Sequence, residues 1–442
     1  MKTMIPGPTY EEMLHPSTPV TVAHELDPAN LFGIAWRAPN QSVRHLAVPK
    51  EFTGVAANIV VMVGRCFPSG SHKVGPAYAT LMEGELAGEI EPGVSTVIGP
   101  STGNFGIGVA YVARLKGYPA VVVMPEGMSR ERYERILKYG GRLDLTPGSE
   151  SDVALVLERT EEYKRDAKNK VLAQFELLPN YRFHRYVTGR SALEAAGAHG
   201  DGRVAAFVSA PGSAGTLAAG DEIKARFPDA VVCALEPKEC STLFNNGRGS
   251  HRIEGIGDKM VTLIHNVLTT DYVQLIHDDD CVMGLELVQQ HVPLLERLCG
   301  VPEGGLAGLQ DVFGISGICN LLGAIRLARY LDLGPEDNIV TIATDGSDRY
   351  PSVLADLDSR VGPAGDATRA GWFESIFRSS ERPEILDVRP EQEKERLFAY
   401  KEQFWTGFGY SSAHLDKMKS QSFWEAESAR VEEIDRQLIQ KR

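Results

Sequence analysis

The sequence contains no uncharged apolar run of the roughly 18 to 20 residues that a membrane span requires, so no transmembrane segment is expected. Its amino end, MKTMIPGPTYEEMLHP, places prolines and acids where a signal peptide needs an apolar core. The six cysteines are scattered; none forms a CxxC pair, and no Cys/His spacing is of the zinc type. Several sit in apolar runs such as VVCALEP and ISGICNLL, where cysteine serves as a small buried hydrophobe. A soluble protein of a reducing compartment follows, with a cytoplasmic location and no bound metal. Basic residues are outnumbered, 46 Lys and Arg against 59 Asp and Glu, and the formal charge of -13 argues against non-specific nucleic-acid binding. Neither GxGxxG nor GxxxxGK[ST] occurs at the glycine-rich turns, which speaks against a dinucleotide or nucleoside triphosphate.

What the sequence does contain is enough apolar residue, 43% of 442, to bury a large core in two or three domains. Between about 50 and 350, near-continuous apolar runs alternate with helical patterns. The runs are ANIVVMV, VSTVIG, PAVVVMP, KVLAQF, VAAFVSAP, AVVCALEP and NIVTIAT, and such runs belong in parallel sheets covered on both faces. FGIGVAYVARLKGY, SRERYERILKYGG, GTLAAGDEIKARF and GICNLLGAIRLARYL carry apolar residues at helical spacing and end in stop signals. The alternation predicts an α/β fold. Residues 1–45 read as an arm, and 359–442 as a helical extension whose last helix sets Val431, Ile434 and Leu438 on one face.

Ligands of open α/β sheets bind at the carboxyl ends of strands, and glycine-rich segments fall at three such ends here. In VIGPSTGNFG, Ser101, Thr102, Gly103 and Asn104 open a helix, suited to an anionic carboxylate or a phenolic oxygen, or simply to N-capping. In FVSAPGSAGTLAAG, Gly212, Ser213, Ala214, Gly215 and Thr216 can turn backbone N–H groups onto a phosphate, or form an ordinary tight turn. RIEGIGDKM adds Gly255, Ile256 and Gly257. One lysine, Lys73 in FPSGSHKVGPAYATL, stands at the mouth of a helix behind small turn-forming residues.

PSGSHK, STGNFGIGVAYVARLKGYPAVVVMPEGMSRERYERILKYGGRL, GSAGTLAAG and HRIEGIG occur in the order found in a known family. From about Val48 to Ser352 the chain resembles the cysteine-synthase-like pyridoxal-phosphate (PLP) enzymes of fold type II, the tryptophan synthase β superfamily. The resemblance implies two three-layer α/β/α domains, a larger one from 46–93 and 190–358 and a smaller one from 94–189, and a homodimer. It implies pyridoxal 5'-phosphate held by Lys73 as a Schiff base, with Asn104 on the pyridine 3′-oxygen and Gly212, Ser213, Ala214, Gly215 and Thr216 on the phosphate. Gly255 and Ile256 would lie beside the ring. Ser101, Thr102 and Gly103 would meet the substrate carboxylate, with Phe105 standing where a small polar residue is usual.

Other departures are Phe67 for a common asparagine, Val74–Gly75 after the lysine, and the last-strand segment TIATDGSDRYPS. There Asp345 aligns with the contact to the pyridine nitrogen, with Thr344 and Ser347 as alternatives. The chemistry implied is β-elimination or β-replacement on a small amino acid, through loss of the α-proton to Lys73 and an aminoacrylate. ECSTLFNNGRGSH is expected either to line a second-substrate site, with Arg248 choosing an anion, or to be a surface loop. His72 and His184 are expected to pack or orient rather than carry protons. The alternatives are γ-elimination, γ-replacement or dehydration of a threonine- or homoserine-type substrate, and a non-catalytic binding module on the same fold.

Overall fold

A computed structural model describes residues 4–17, 24–245, 247–362 and 364–442. Parts of the expected arm (1–3 and 18–23), position 246 of the 239–251 segment and position 363 of the extension lie outside them. Eleven strands form two sheets among the described residues. They are β1 (His45–Val48), β2 (Asn58–Val63), β3 (Thr96–Pro100), β4 (Ala120–Pro125), β5 (Arg142–Thr146), β6 (Asn169–Val171), β7 (Val204–Ser209), β8 (Val231–Pro237), β9 (Tyr272–Ile276), β10 (Asn338–Ala343) and β11 (Ile385–Asp387).

The larger sheet runs β1-β2-β10-β7-β8-β9-β11 and the smaller β5-β4-β3-β6. All four strands of the smaller sheet are parallel. In the larger, only the edge strands β1 and β11 run antiparallel to their neighbours. The apolar runs explain this: every residue of β4 and β10 is buried, as a strand with helices on both faces requires. Helices Ile315–Tyr330 and Ala218–Arg226 pack on the larger sheet, and Asn104–Lys116 on the smaller. Truncating Ile339 or Ile342 to alanine would cost about 2–5 kcal/mol, because each is wholly buried in β10.

The seven apolar runs each contain a strand, although KVLAQF keeps only Val171 and its neighbours in the sheet before the chain turns away. β1, β5, β9 and β11 add to the expected set. β5 carries charge among its five residues, RLDLT, and β11 is a three-residue piece of the otherwise helical extension.

The final helix, Gln421–Lys441, buries Val431, Ile434 and Leu438 in the core that also contains Val74 and Tyr78. Beside them the Asp435 carboxylate accepts the N–H groups of Tyr10 (2.8 Å) and Glu11 (3.0 Å), at the start of the short helix Tyr10–Leu14. The two ends of the chain are thereby fastened to each other and to the helix Val74–Leu86. Among the described residues no helix is long and apolar enough to cross a membrane.

Candidate active site

The carboxyl ends of β2, β3, β7 and β10 lead into the segments 64–73, 101–104, 210–216 and 344–350, and these converge on one narrow cleft of about 20 Å³. Lys73, Ser101, Thr102, Gly103, Asn104 and Phe105 line it from one side of the sequence, and Gly212, Ser213, Gly255 and Thr344 from the other. Gln174, Phe175 and Asp258 complete it; none of these three was marked by its motif. Gln174 follows the short β6, where only the bend away from the sheet turns it to the cleft. Asp258 follows the Gly255–Gly257 turn.

Lys73 immediately precedes the helix Val74–Leu86, and its backbone N–H meets the Ser71 hydroxyl at 3.3 Å. Its side chain is half-buried. Burial pushes the amine down to about 8, while the Asp258 and Glu150 charges oppose the shift and Arg132 adds to it. His72 stacks on Trp36 at 5.6 Å and meets His184 edge-on at 5.2 Å. Burial holds both imidazoles neutral, so they pack behind the lysine.

Hydroxyl and amide groups at the opening of the helix Asn104–Lys116 are already engaged. Ser101 Oγ accepts the N–H groups of Gly103 (2.9 Å) and Gly106 (2.8 Å), although the N-cap position itself is Gly103, which has no side chain to cap with. The Thr102 hydroxyl donates to Glu150, and Asn104 Nδ2 donates to Asp345 Oδ2 at 2.7 Å. Arg349, wholly buried, donates to Asn104 Oδ1 and, at 2.7 Å, to the Ser69 carbonyl, tying the lysine loop to the asparagine loop. Gly70 makes room for that guanidinium at φ 80°, a conformation that favours glycine.

Asp345 therefore faces Asn104 and Tyr350, whose hydroxyl donates to it at 2.8 Å, and does not line the cleft; Thr344 does. Ser347 turns to Asp311 Oδ1 at 3.1 Å.

The glycine loop passes so close to the Gly255 turn that a Cβ on Gly212 would lie 2.5 Å from the Gly255 carbonyl. Ala214 takes the left-handed conformation at φ 63°. Ser213 Oγ accepts from Asn180 at 2.9 Å, and Thr216 Oγ1 lies 2.8 Å from Ser209 Oγ. Gly212 and Ala214 also line an adjoining cavity with Gly257, Asp258, Thr262 and His265. Gly215, Thr216 and Ile256 are buried beside these cavities without lining either.

Arg132, in the helix Arg130–Lys138, is a residue the sequence pattern presents as a surface charge, yet it is wholly buried. It donates to the Thr102 carbonyl (2.9 Å) and the Tyr350 hydroxyl (3.1 Å), and pairs with Glu254 (2.7 Å). A larger opening, about 650 Å³, borders it and is lined by Ser129, Glu150, His251, Arg252 and Glu254. Arg248 is exposed and does not line this opening; Arg252 does, and it is paired with Asp278 and Asp279.

Residues 46–301 match the family model described as "Pyridoxal-phosphate dependent enzyme", more than half of the chain. Cysteine synthase of Staphylococcus aureus is 32% identical over 299 residues, 67% of this chain and 88% of that protein. A probable cysteine synthase of Bacillus subtilis is 30% identical over 298 residues, 67% and 89%. Among solved structures, a hydrogen sulfide-producing enzyme from Fusobacterium nucleatum superposes with a TM-score of 0.60 at 25% identity, covering 70% of this chain and 96% of its own. O-acetylserine sulfhydrylase isoform 3 from Entamoeba histolytica shares the fold, with a TM-score of 0.63 at 24% identity over 81% and 98%. With the fold, the ordered loops and these relatives in agreement, the chain belongs to the pyridoxal-phosphate dependent enzymes, in the cysteine synthase-like family of fold type II.

Proposed function

We propose that this enzyme catalyses β-elimination or β-replacement on a small amino acid, with Lys73 as the residue that binds the cofactor aldehyde and later handles the α-proton. The observation that carries this reading is the placing of Lys73 in one cleft with the Ser101–Asn104 and Gly212–Ser213 loops.

The residues suit a phosphorylated aldehyde. Among the described residues, the N–H groups of Gly212, Ser213, Ala214 and Thr216 donate to no protein acceptor, and only a residue without Cβ fits at Gly212. Those amides, with the Ser213 and Thr216 hydroxyls and the Gly215 backbone, would hold the phosphate. Gly255 and Ile256 would flank the ring, Asn104 would meet its 3′-oxygen, and Thr344, backed by Asp345, would meet its nitrogen. Bound there, the cofactor supplies an acceptor for the electrons left on the α-carbon when its proton departs.

Lys73 is suited to taking that proton at Nζ. An amine brought down to about 8 is partly unprotonated at neutral pH, as a general base must be. Ser101, Thr102 and Gly103, with Phe105 behind them, would hold the substrate carboxylate at the start of the helix Asn104–Lys116, so that the α-carbon stays over the lysine. Arg132 fixes that loop through the Thr102 carbonyl.

The test is turnover by the purified holoenzyme and Lys73→Ala with serine, O-acetylserine, cysteine, threonine, homoserine and 3-hydroxyaspartate. Keto acid and ammonia are quantified, and amino-acid products are identified by mass. Pyruvate, or a β-substituted amino acid, from a three-carbon substrate supports the reading. A four-carbon keto acid from homoserine alone would replace it with γ-chemistry.

A further inference from the structure

Two carboxylates beside Lys73 have no role in the function proposed above. Asp258 lines the Lys73 cleft, is 6% exposed, and its Oδ2 has no hydrogen-bond partner. Among the described residues no Lys, Arg or His nitrogen lies within 4.0 Å of it, Lys73 included. Glu150, 2% exposed, takes the Thr102 hydroxyl on Oε1, while Oε2 has no hydrogen bond and only the Arg132 guanidinium at 3.8 Å. Thr102 lines the Lys73 cleft and Glu150 the larger opening, so Glu150 stands in the wall between the two.

Apart from Lys73, which shares the cleft with Asp258, the neighbouring cations are committed elsewhere. Arg132 pairs with Glu254, Arg252 with Asp278 and Asp279, and Lys259 with Asp152 at 2.9 Å. His251 is held neutral, burial bringing it down to about 4. A buried carboxylate without a donor is costly unless a ligand supplies one. An anion entering this space would meet two carboxylates against the single amine of Lys73, whereas an ammonium or amine would supply the missing donors. Burial raises Asp258 to about 7 and Glu150 to about 8, so each can hold or release a proton near neutrality.

We infer that the group on the substrate's β-carbon, leaving or arriving, is an amine received by Asp258 and Glu150, and not sulfide or another anion. This rests on the function proposed above. In elimination the Cα–H and Cβ–N bonds of a 2,3-diamino acid break. The β-ammonium, kept protonated by the carboxylates, leaves as neutral ammonia; water then releases the second nitrogen, giving pyruvate and two ammonia from 2,3-diaminopropionate. In replacement the Cα–H and Cβ–O bonds of O-acetylserine break, with the α-proton passing to Lys73; a primary amine then forms the Cβ–N bond and the α-carbon takes a proton back from Lys73. Acetate leaves, and the nitrogen's surplus proton passes to Asp258.

The experiment uses the holoenzyme, Asp258→Asn and Glu150→Gln. Each is given 2,3-diaminopropionate alone, O-acetylserine with methylamine, and O-acetylserine with sulfide. Products are identified by mass, and binding of 2,3-diaminopropionate is measured separately from the change in the cofactor's visible absorption. Wild type should prefer one amine-bearing reaction to the sulfide reaction, and which one is preferred tells departure from arrival. Asp258→Asn should lower the amine-to-sulfide ratio of kcat/KM by about 100-fold and weaken 2,3-diaminopropionate binding, with Glu150→Gln changing both in the same direction. An intact cofactor band in each variant would show that the site is folded. A preference for sulfide in wild type, or an unchanged ratio in both variants, overturns this inference alone. Absence of a cofactor band from wild type overturns the proposed function and this inference with it.

Discussion

Asn104 Nδ2 donates to Asp345 Oδ2 at 2.7 Å, joining the loop after β3 to the loop after β10 across the cleft that contains Lys73. The Asn104 carbonyl oxygen accepts from Arg349, so both ends of the amide are fixed by one buried network. A network of this kind holds its members in one geometry and is costly to break in part. Replacing Asp345 with alanine leaves Asn104 and Tyr350 without their acceptor. Urea unfolding should show a loss of about 3 kcal/mol, and cofactor affinity should fall with it.

Arg132 holds the Thr102 carbonyl, Glu254 and the Tyr350 hydroxyl together without being exposed. Arg132→Ala strands the Glu254 and Glu150 carboxylates, and should cost about 3–5 kcal/mol in urea unfolding. Arg132→Lys should recover little of this, because one ammonium cannot reproduce the spread of the guanidinium fork. Steady-state kinetics should show a higher KM for the amino acid, since the loop proposed to hold its carboxylate loses its anchor.

The close approach of two turns makes Gly212 a position where one methyl group matters. With the added Cβ at 2.5 Å from the Gly255 carbonyl, Gly212→Ala must move one of the two loops. Cofactor affinity should weaken about tenfold or more, roughly 1.4 kcal/mol. Gly365→Ala is the control: its φ of -87° suits any residue and nothing lies near the new methyl group. Equilibrium titration with the cofactor compares the two.

Glu150 gives stability a sign that depends on pH. Burial raises its carboxyl from 4.5 to about 8, so between those values the folded chain retains a proton that the unfolded chain has lost. Its contribution is fully present below 4.5 and is lost as pH rises through 8. Glutamine carries no such proton. The stability of Glu150→Gln relative to wild type should therefore increase from pH 5 to pH 8.5, by roughly 4 kcal/mol, in urea unfolding at each pH.

Much of the fold is legible in the sequence because parallel strands covered on both faces leave continuous apolar runs, as NIVVMV and NIVTIA do. The cleft is legible because its loops follow those strands directly. Burial that depends on distant partners is not. Arg132 reads as a helix-surface charge in SRERYERILK, and only Thr102, Glu254 and Tyr350, brought from three other segments, explain why it lies inside. Asp258 reads as a turn residue after glycine. Asp345 sits at the position the alignment selects, yet Asn104 and Tyr350 draw its carboxylate away from the cleft. Arg248 lies in a segment whose neighbour His251 reaches the larger opening while Arg248 faces solvent.

The claim on which the rest depends is that Lys73 carries the cofactor. The purified holoenzyme and Lys73→Ala should be reduced with borohydride, digested, and searched by mass spectrometry for a lysine bearing the reduced cofactor. The account predicts one modified lysine, Lys73, together with loss of the visible absorption band on reduction and no modified peptide from the variant. Modification at a different lysine, or a wild-type protein that acquires neither band nor adduct after incubation with pyridoxal phosphate, would contradict it.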